Sequence, residues 1–572
     1  MASVSFVTLL TILVAFTVIG FGTMNGINGV AMGTMRSTQR NFKAATAQNL
    51  AESGIYMTFQ WLHQIASTQN LAYAGPPSQF APSGSTFYGA TTVGGYNVLS
   101  FTEPSTGLPL TVSVRIYPYQ TNLTSFAKAY VVESIGTYQG TQRIVRACFT
   151  QRTLAFYGVL YNSWANGLYF SAGGDIVNGP IHINGVNSSN VVDPSIRVGI
   201  EWKTAGPQIF QDPTPESFTT SLPPAGLKWW VYGSSSTERS PATAAEWLAV
   251  SAAGQGPITS APVVAFPSTT AQQLTVALGS LSAIPSGVGV TVPNTSGIAN
   301  GGILINGDVT DMVLSATGTS NTSQVITLRQ NDTSINKTVR STITINPVAN
   351  TTSIKVEQAP LNTTTFTTIS TTDYTGATNN VVYLNGNIGD TTAKTGGIRG
   401  VIAENILDGT GNYVVRYNKL YIVTEGTKNL RVQGSIVHSA LITNSSNANN
   451  IVSSAITPTY RCGIVGLTAN NVPLARYDAG GTEITNFCFH ATVLATNNCN
   501  PEDYSIRTGG SFTQIGGFLV KTAQAFSTSS GKGLGEFHYY DYRMVNNPPP
   551  YFPVANSNYL LTSLQSVSST IE

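Results

Sequence analysis

No charge occurs along the chain before Arg36. The run Val4–Phe21, in which Phe6, Leu9, Leu10, Leu13, Val14, Phe16, Ile19 and Phe21 are the large apolar positions, is long enough, together with the uncharged residues after it, to cross a hydrocarbon core as a helix. From Ser37 the pattern turns amphipathic: Leu50, Gly54, Met57, Trp61 and Ile65 recur at helix spacing, with Arg40, Lys43 and Gln48 elsewhere. The pattern predicts one long helix over residues 1–70, with a membrane-spanning half at about 1–30. Between the two halves lie Gly20, Gly22, Gly26, Gly29 and Gly33, and two pairs, Gly22/Gly26 and Gly29/Gly33, are four apart. That spacing lets helix backbones approach closely, although each glycine costs a helix about 1 kcal/mol against Ala. A juxtamembrane hinge and a helix that packs against copies of itself are both compatible with it.

After Pro76-Pro77 the period changes from helix to strand. Leu110–Ile116, Ala129–Ser134 and Thr141–Phe149 alternate polar with apolar residues between Gly-containing turns, predicting an antiparallel head over 71–152 packed on the second half of the helix. From about Thr153 short strands recur with Asn-Gly or Gly-Asp breaks, as in Gly173–Gly185, Gly302–Asp308, Val382–Asn387 and Leu430–His438. Repetition without a strict period predicts a mainly-β body over 153–553, either a β-solenoid (β-helix) or a β-sandwich. Residues 212–300 read as an insertion or linker, with short helices expected at 242–253 and 269–278, and residues 554–572 read as a C-terminal tail. The fold class is therefore α+β: a long hydrophobic helix, a small antiparallel sheet and a large mainly-β body.

Composition narrows the partners. Only 9% of the 572 residues are charged, and 28 Lys plus Arg against 26 Asp plus Glu leave +2, so no basic footprint for nucleic acid exists. With 41% hydrophobic residues and 55 glycines, strands whose polar face is built from hydroxyls and amides fit better than ion-laced helices. Arg36, Arg40 and Lys43 come after the span, which by the positive-inside rule holds the C-terminal bulk in the cytoplasm unless a basic leader precedes Met1.

Chemistry-bearing motifs are sparse. Cys148, Cys462, Cys488 and Cys499 show no CxxC spacing; one disulfide is expected among Cys462, Cys488 and Cys499. The five histidines are scattered, and no HExxH, GxSxG or P-loop occurs. Asp308 with Asp311, or Glu502 with Asp503, offers too few oxygens for the six to eight that calcium takes. No catalytic residue, cofactor or metal ligand is expected. Asn-x-Ser/Thr sequons, candidates for glycosylation, stand at Asn122, Asn187, Asn294, Asn321, Asn331, Asn336, Asn350, Asn362 and Asn444. Tyr539–Arg543, with Pro548-Pro-Pro550 shortly after it, reads as a sugar-stacking patch or a buried clasp.

The apolar-then-amphipathic helix, with Ala47-Gln-Asn-Leu-Ala-Glu-Ser-Gly-Ile55, resembles the type IV pilin class, especially its larger PilX-like members. Ser134–Arg143 is similar to a strand and hairpin of that class, and the segments of 153–553, ending in Tyr540–Pro553, resemble an uncharacterised β-rich domain fused to pilin-like N-termini. Ser5 stands where the family usually has Glu. The resemblance implies a structural subunit of an extracellular filament at the bacterial cell surface, held in the inner membrane before assembly. Its implied partners are copies of itself in a helical homopolymer, a prepilin peptidase and the pilus assembly machinery, and its exposed body could serve adhesion. A minor or tip subunit, and a membrane-tethered carbohydrate-binding or carbohydrate-active surface protein, are the alternatives.

Overall fold

The computed structural model describes residues 6–68, 87–119, 125–127, 129–164, 168–171, 176–186, 191, 197–201, 208–210, 218–220, 228–232, 243, 258–261, 263–361, 363–407, 414–416, 418–439, 461–528, 532–545 and 547–567. Helix α1 runs unbroken over Phe6–Thr68, roughly 95 Å at 1.5 Å per residue. No proline interrupts it, and its hydroxyls turn back on its own carbonyls: Thr17 Oγ1 donates to Leu13 O (2.7 Å), Thr23 to Ile19 (2.9 Å) and Thr34 to Val30 (2.9 Å). Such back-bonding hides polar groups that an apolar surrounding could not solvate.

The second half of α1 lies on a six-stranded antiparallel sheet. Its strands are β1 (Thr91–Val93), β2 (Tyr96–Thr102), β3 (Pro109–Tyr119), β4 (Ala129–Tyr138), β5 (Thr141–Thr153) and, beside β5, the closing strand Val554–Val567. Ala51, Ile55, Trp61 and Leu62 bury against Val112, Val114, Val132, Val145 and Phe149. Small residues set the distance. A Cβ on Gly136 of β4 would overlap the backbone of Ala47 and Ala51, and a Cβ on Gly54 would overlap Ser134. The sheet also buries Glu133, which takes Arg146 Nε (2.9 Å) and the Tyr96 hydroxyl (2.6 Å).

The expected C-terminal tail is corrected here: residues 554–567 form a strand that pairs with β5 from Thr153 to Ile144. Its own Tyr559 is buried in the layer between α1 and the sheet, and the strand covers an edge of β5 that would otherwise leave backbone groups unpaired. The body therefore leaves the sheet after Thr153 and returns to it at Val554, with Leu154 N–H donating to Pro553 O at the junction (2.8 Å).

Between those points the chain winds into coils whose strands pair in parallel with the next coil. One ladder joins Ile303–Asn306, Val381–Leu384, Lys419–Thr424, Ile464–Leu474, Thr492–Pro501 and Phe518–Ala523, then Val159–Trp164 and Ile181–Ile183. A second joins Asp311–Thr317, Gly397–Ile402, Val432–His438, Asn486–Phe489, Gly510–Ile515 and Leu534–Tyr539, then Ile176–Asn178. Coil-to-coil parallel pairing is what a wound sheet requires and what an antiparallel sandwich lacks. The first coil in the chain thus docks on the last. Ile303, Ile305, Val382, Leu384, Ile422, Val465, Leu467 and Phe518 fill the interior.

At one corner the coils are tied by amides. Asn387 Nδ2 donates to Asp308 Oδ1 (3.1 Å), Asn429 N–H to Asn387 Oδ1 (2.9 Å), Asn471 Nδ2 to Asn429 Oδ1 (2.8 Å) and Asn497 Nδ2 to Asn471 Oδ1 (2.8 Å). The repeat lacks a fixed period because an antiparallel sheet, Ser323–Asp332, Lys337–Asn346, Thr351–Pro360 and Thr367–Thr375, is spliced between two coils.

A second apolar layer covers the outside of the first ladder. The helix Ala271–Leu278, within the 269–278 segment that the sequence marks as helical, and Tyr540–Phe552 pack there with Leu304, Tyr383, Tyr421 and Leu519. Phe552 stacks near Tyr421 (5.2 Å) and Pro549 lies over Gly466, so the Tyr-Pro segment is a clasp. The helix expected at 242–253 lies outside the described residues except for residue 243, which is in a bend.

Replacing Gly136 with Val should force α1 off β4 and destabilise the head by about 1–3 kcal/mol. Thermal unfolding followed by near-ultraviolet circular dichroism checks this, with Gly107→Val, strained by a φ of 69° but with open space around it, as a comparison for backbone strain without a clash.

Candidate functional site

The helix divides at about residue 43. Beyond it, Ala47, Ala51, Gly54, Ile55 and Thr58 are buried, so the small-residue motif is the footprint of the sheet on the helix. Before it the helix stands clear of the sheet apart from Phe42, whose ring meets Tyr138 edge-on (6.2 Å). Leu13, Val14, Phe16, Ile19, Phe21, Ile27, Val30 and Met35 are all more than half exposed, with Phe16 at 72% and Val30 at 71%. Phe6, Leu9 and Leu10 continue the same helix.

A Cβ added at Gly20, Gly22, Gly26, Gly29 or Gly33 would meet nothing. Gly22, Gly26, Gly29 and Gly33 are spaced four, three and four apart, which stacks them on one face. None of the five has the positive φ that only glycine tolerates well. Among the described residues, then, neither backbone strain nor a close neighbour accounts for glycines that weaken the helix.

The expected disulfide is corrected. None of the four cysteines is bridged, because the three candidates sit in different places: Cys499 in the coil interior, Cys488 beside Val437 and Ile515, and Cys462 at a bridge to Glu404. Burial raises the thiol of Cys488 to about 12 and that of Cys499 further, so neither supplies the thiolate that exchange needs. Of the sequons, Asn294, Asn321, Asn331, Asn336 and Asn350 are exposed. Asn321, Asn336 and Asn350 hold left-handed turns at φ 52°, 53° and 55°, and Asn294 Oδ1 accepts from Gly297 N–H (3.2 Å). Turn geometry, which Asn tolerates well, accounts for Asn294, Asn321, Asn336 and Asn350 without a sugar, whereas Asn331 lies in the strand Ser323–Asp332. Asn122, Asn187, Asn362 and Asn444 lie outside the described residues.

Of the neighbouring acids in the sequence, three are taken up by basic side chains. Asp311 pairs with Arg399, Asp503 with Lys394 (2.7 Å), and Glu502 with Arg431 through two bonds of 2.8 and 2.9 Å. Among the described residues no three His, Cys, Asp or Glu converge. The buried Arg431–Glu502 pair and Arg507, which donates to the carbonyls of Ala475 (3.0 Å) and Ile484 (2.6 Å), are not legible in the sequence. Their partners come from different coils, and no local pattern marks them.

His182, His438 and His490 are buried in the coils. His490 Nδ1 accepts from the His438 backbone N–H (3.0 Å), and its Nε2 lies 3.1 Å from Cys488 Sγ. Burial lowers His182 to about 4; burial and the nearby Arg543 lower His490 to about 3; burial, His490 and Arg543 hold His438 well below its ordinary value. The folded protein therefore binds fewer protons than the unfolded chain below pH 6.5. Stability from these groups is complete above pH 6.5 and falls as pH drops towards 3–4, by ~1.4 kcal/mol per pH unit for each histidine. Denaturant titrations between pH 6.5 and 4 should show that slope, and His490→Gln should reduce it by one proton's worth.

Among solved structures, the crystal structure of the competence-associated pilin ComZ from Thermus thermophilus is similar to this chain at 12% identity and a TM-score of 0.26, over 92% of this chain and 97% of that one. The chain matches no family model and no curated protein.

Proposed function

We propose that the chain is a structural subunit of an extracellular type IV pilus-like filament, polymerising through the N-terminal half of α1 and carrying the β body outside. The carrying observation is that this half has no charge before Arg36 and its large apolar side chains from Leu13 to Met35 are exposed, while its glycines have no neighbour within 4 Å among the described residues. A lipid-facing or solvent-facing tether would be a more stable helix with Ala at those positions, by about 1 kcal/mol each. Glycines on one face suit another helix whose backbone comes close. The same surface serves twice: it holds the unassembled subunit in the membrane, then buries against neighbouring copies. In an aqueous filament that burial gains the hydrophobic term of about 25 cal/mol per Å².

The resemblance of Ala47–Ile55 to the pilin class supports the reading, since those residues dock the helix on its sheet. An outward body would be the part available for adhesion. Nothing in the reading needs a catalytic group.

A carboxylate at Val14 must be desolvated in the filament core, at a cost of several kcal/mol. Val14→Glu should therefore reduce filaments sheared from cells by about a hundredfold or more, with the β body still folded by circular dichroism. Intact filaments from this variant would overturn the proposal, and wild-type material found only as membrane-bound monomers would return the helix to the role of a tether.

A further inference from the structure

The strand Thr367–Thr375 borders the spliced antiparallel sheet. On one side it pairs with 351–358; on the other its only pairing among the described residues is a single bridge from Thr375 to Ile298. Residues 367–373 are exposed throughout, Ile369 at 57%. Edge strands are usually blunted by Lys, Pro, inward charges or β-bulges, because their unpaired N–H and C=O groups template another strand; here the register against 351–358 shifts once, at Ile369, and the strand itself carries no Lys or Pro. This one reads Thr-Thr-Ile-Ser-Thr-Thr-Asp-Tyr-Thr, rich in β-branched residues that favour strand pairing.

The two ends of the strand differ in charge. Beside its start, Phe366 lies under the guanidinium of Arg340 (4.2 Å) and near that of Arg329 (5.8 Å). Arg329 and Arg340 stand directly opposite each other. Glu357, opposite Thr368, takes Arg340 (2.7 Å) and also Lys355 (2.8 Å), which stands opposite Thr371; one carboxylate against two arginines leaves this end cationic. At the far end Asp373 is exposed and makes no ion pair among the described residues.

We propose that this edge pairs with the same strand of a second copy of the chain, antiparallel, about a two-fold axis near Ser370. Residue 373 of each copy then faces residue 367 of the other, which sets each Asp373 beside the arginine end of its partner. Parallel pairing in register would set aspartate against aspartate and arginine against arginine, so the charges select the antiparallel mode. Main-chain hydrogen bonds hold the strands, as in strand addition generally. Subunits within one filament are related by a screw and all point the same way, so this two-fold contact joins bodies of separate filaments or of two membrane-held subunits. It does not depend on the assembly helix.

The test uses the full chain in detergent, which shelters the helix, with Ile369, Ser370 or Thr371 singly replaced by Cys. The native thiols interfere little, since three are buried and Cys148 is half-buried. Under mild oxidation at least one variant should give disulfide-linked dimers about tenfold faster than Val348→Cys, a comparably exposed site on the turn between the strands 337–346 and 351–360. Adding Asp373→Arg should lower that rate severalfold, and adding Arg329→Asp to the same chain should restore it. Cross-linking no faster than at Val348, or a rate indifferent to Asp373→Arg, would overturn the proposal. Filament formation is scored separately with Val14→Glu, so failure of either reading leaves the other standing.

Discussion

The close approach of α1 to β4 is the contact on which the rest of the molecule depends. Gly136 and Gly54, with Ala47 and Ala51, let the helix backbone come down onto the sheet, where Ile55, Trp61 and Leu62 meet a continuous apolar layer. A helix longer than its sheet can bury only one end. Once the C-terminal half is fixed, the rigid hydrogen-bonded ladder carries the N-terminal half away from the head, and its apolar side chains must find their cover outside the chain. Exposure of the first half is thus a consequence of how firmly the second is held.

The same sheet determines how the body is attached. Because 554–567 returns to pair with β5, the body is closed at both ends by one hydrogen-bonded junction at Thr153 and Val554. A domain suspended from two adjacent strands cannot swing as one on a single linker can. Inside the body, the strands Val159–Trp164 and Ile176–Asn178 dock beside Phe518–Ala523 and Leu534–Tyr539, so breaking that contact requires separating strands some 360 residues apart in the chain. Contacts of such separation give a loop-closure penalty during folding, and the clasp Tyr540–Phe552 covers the seam once it has formed.

The sequence made some of this plain and concealed the rest for physical reasons. The helix was legible because its apolar content and the spacing of Leu50, Gly54, Met57 and Trp61 act locally, and the stretch Ala47–Ile55 stood out through its resemblance to the pilin class. The coils showed as Asn-Gly breaks at Asn306 and Asn385, since the turn chemistry is local too, but the amide tie through Asn387, Asn429, Asn471 and Asn497 exists only when coils stack. The closing strand was hidden because its alternation, Tyr559-Leu-Leu-Thr-Ser-Leu564, is disturbed by a register shift between Leu561 and Ser563 and its partner lies about 400 residues earlier. The disulfide expectation failed on direction: Cys488 and Cys499 lie close together in the chain but belong to different apolar clusters.

Scarcity of charge connects these features. Several of the ions are drawn inside, where Arg431 braces Glu502, Arg507 holds the carbonyls of two coil turns, and Arg543 grips Asp541 and the carbonyl of Cys462. A buried pair of this kind gains little over apolar packing but is costly to break from one side, so it fixes which coils meet more than how strongly. The outer surface is left to hydroxyls and amides, which stay neutral at any physiological pH. With a net charge of only +2 over 572 residues, identical bodies brought together experience little long-range repulsion. Contacts between copies are then decided at short range, by shape, by unpaired backbone and by the few charges left outside, and a single exposed aspartate at a strand end can set an orientation that a densely charged surface would obscure.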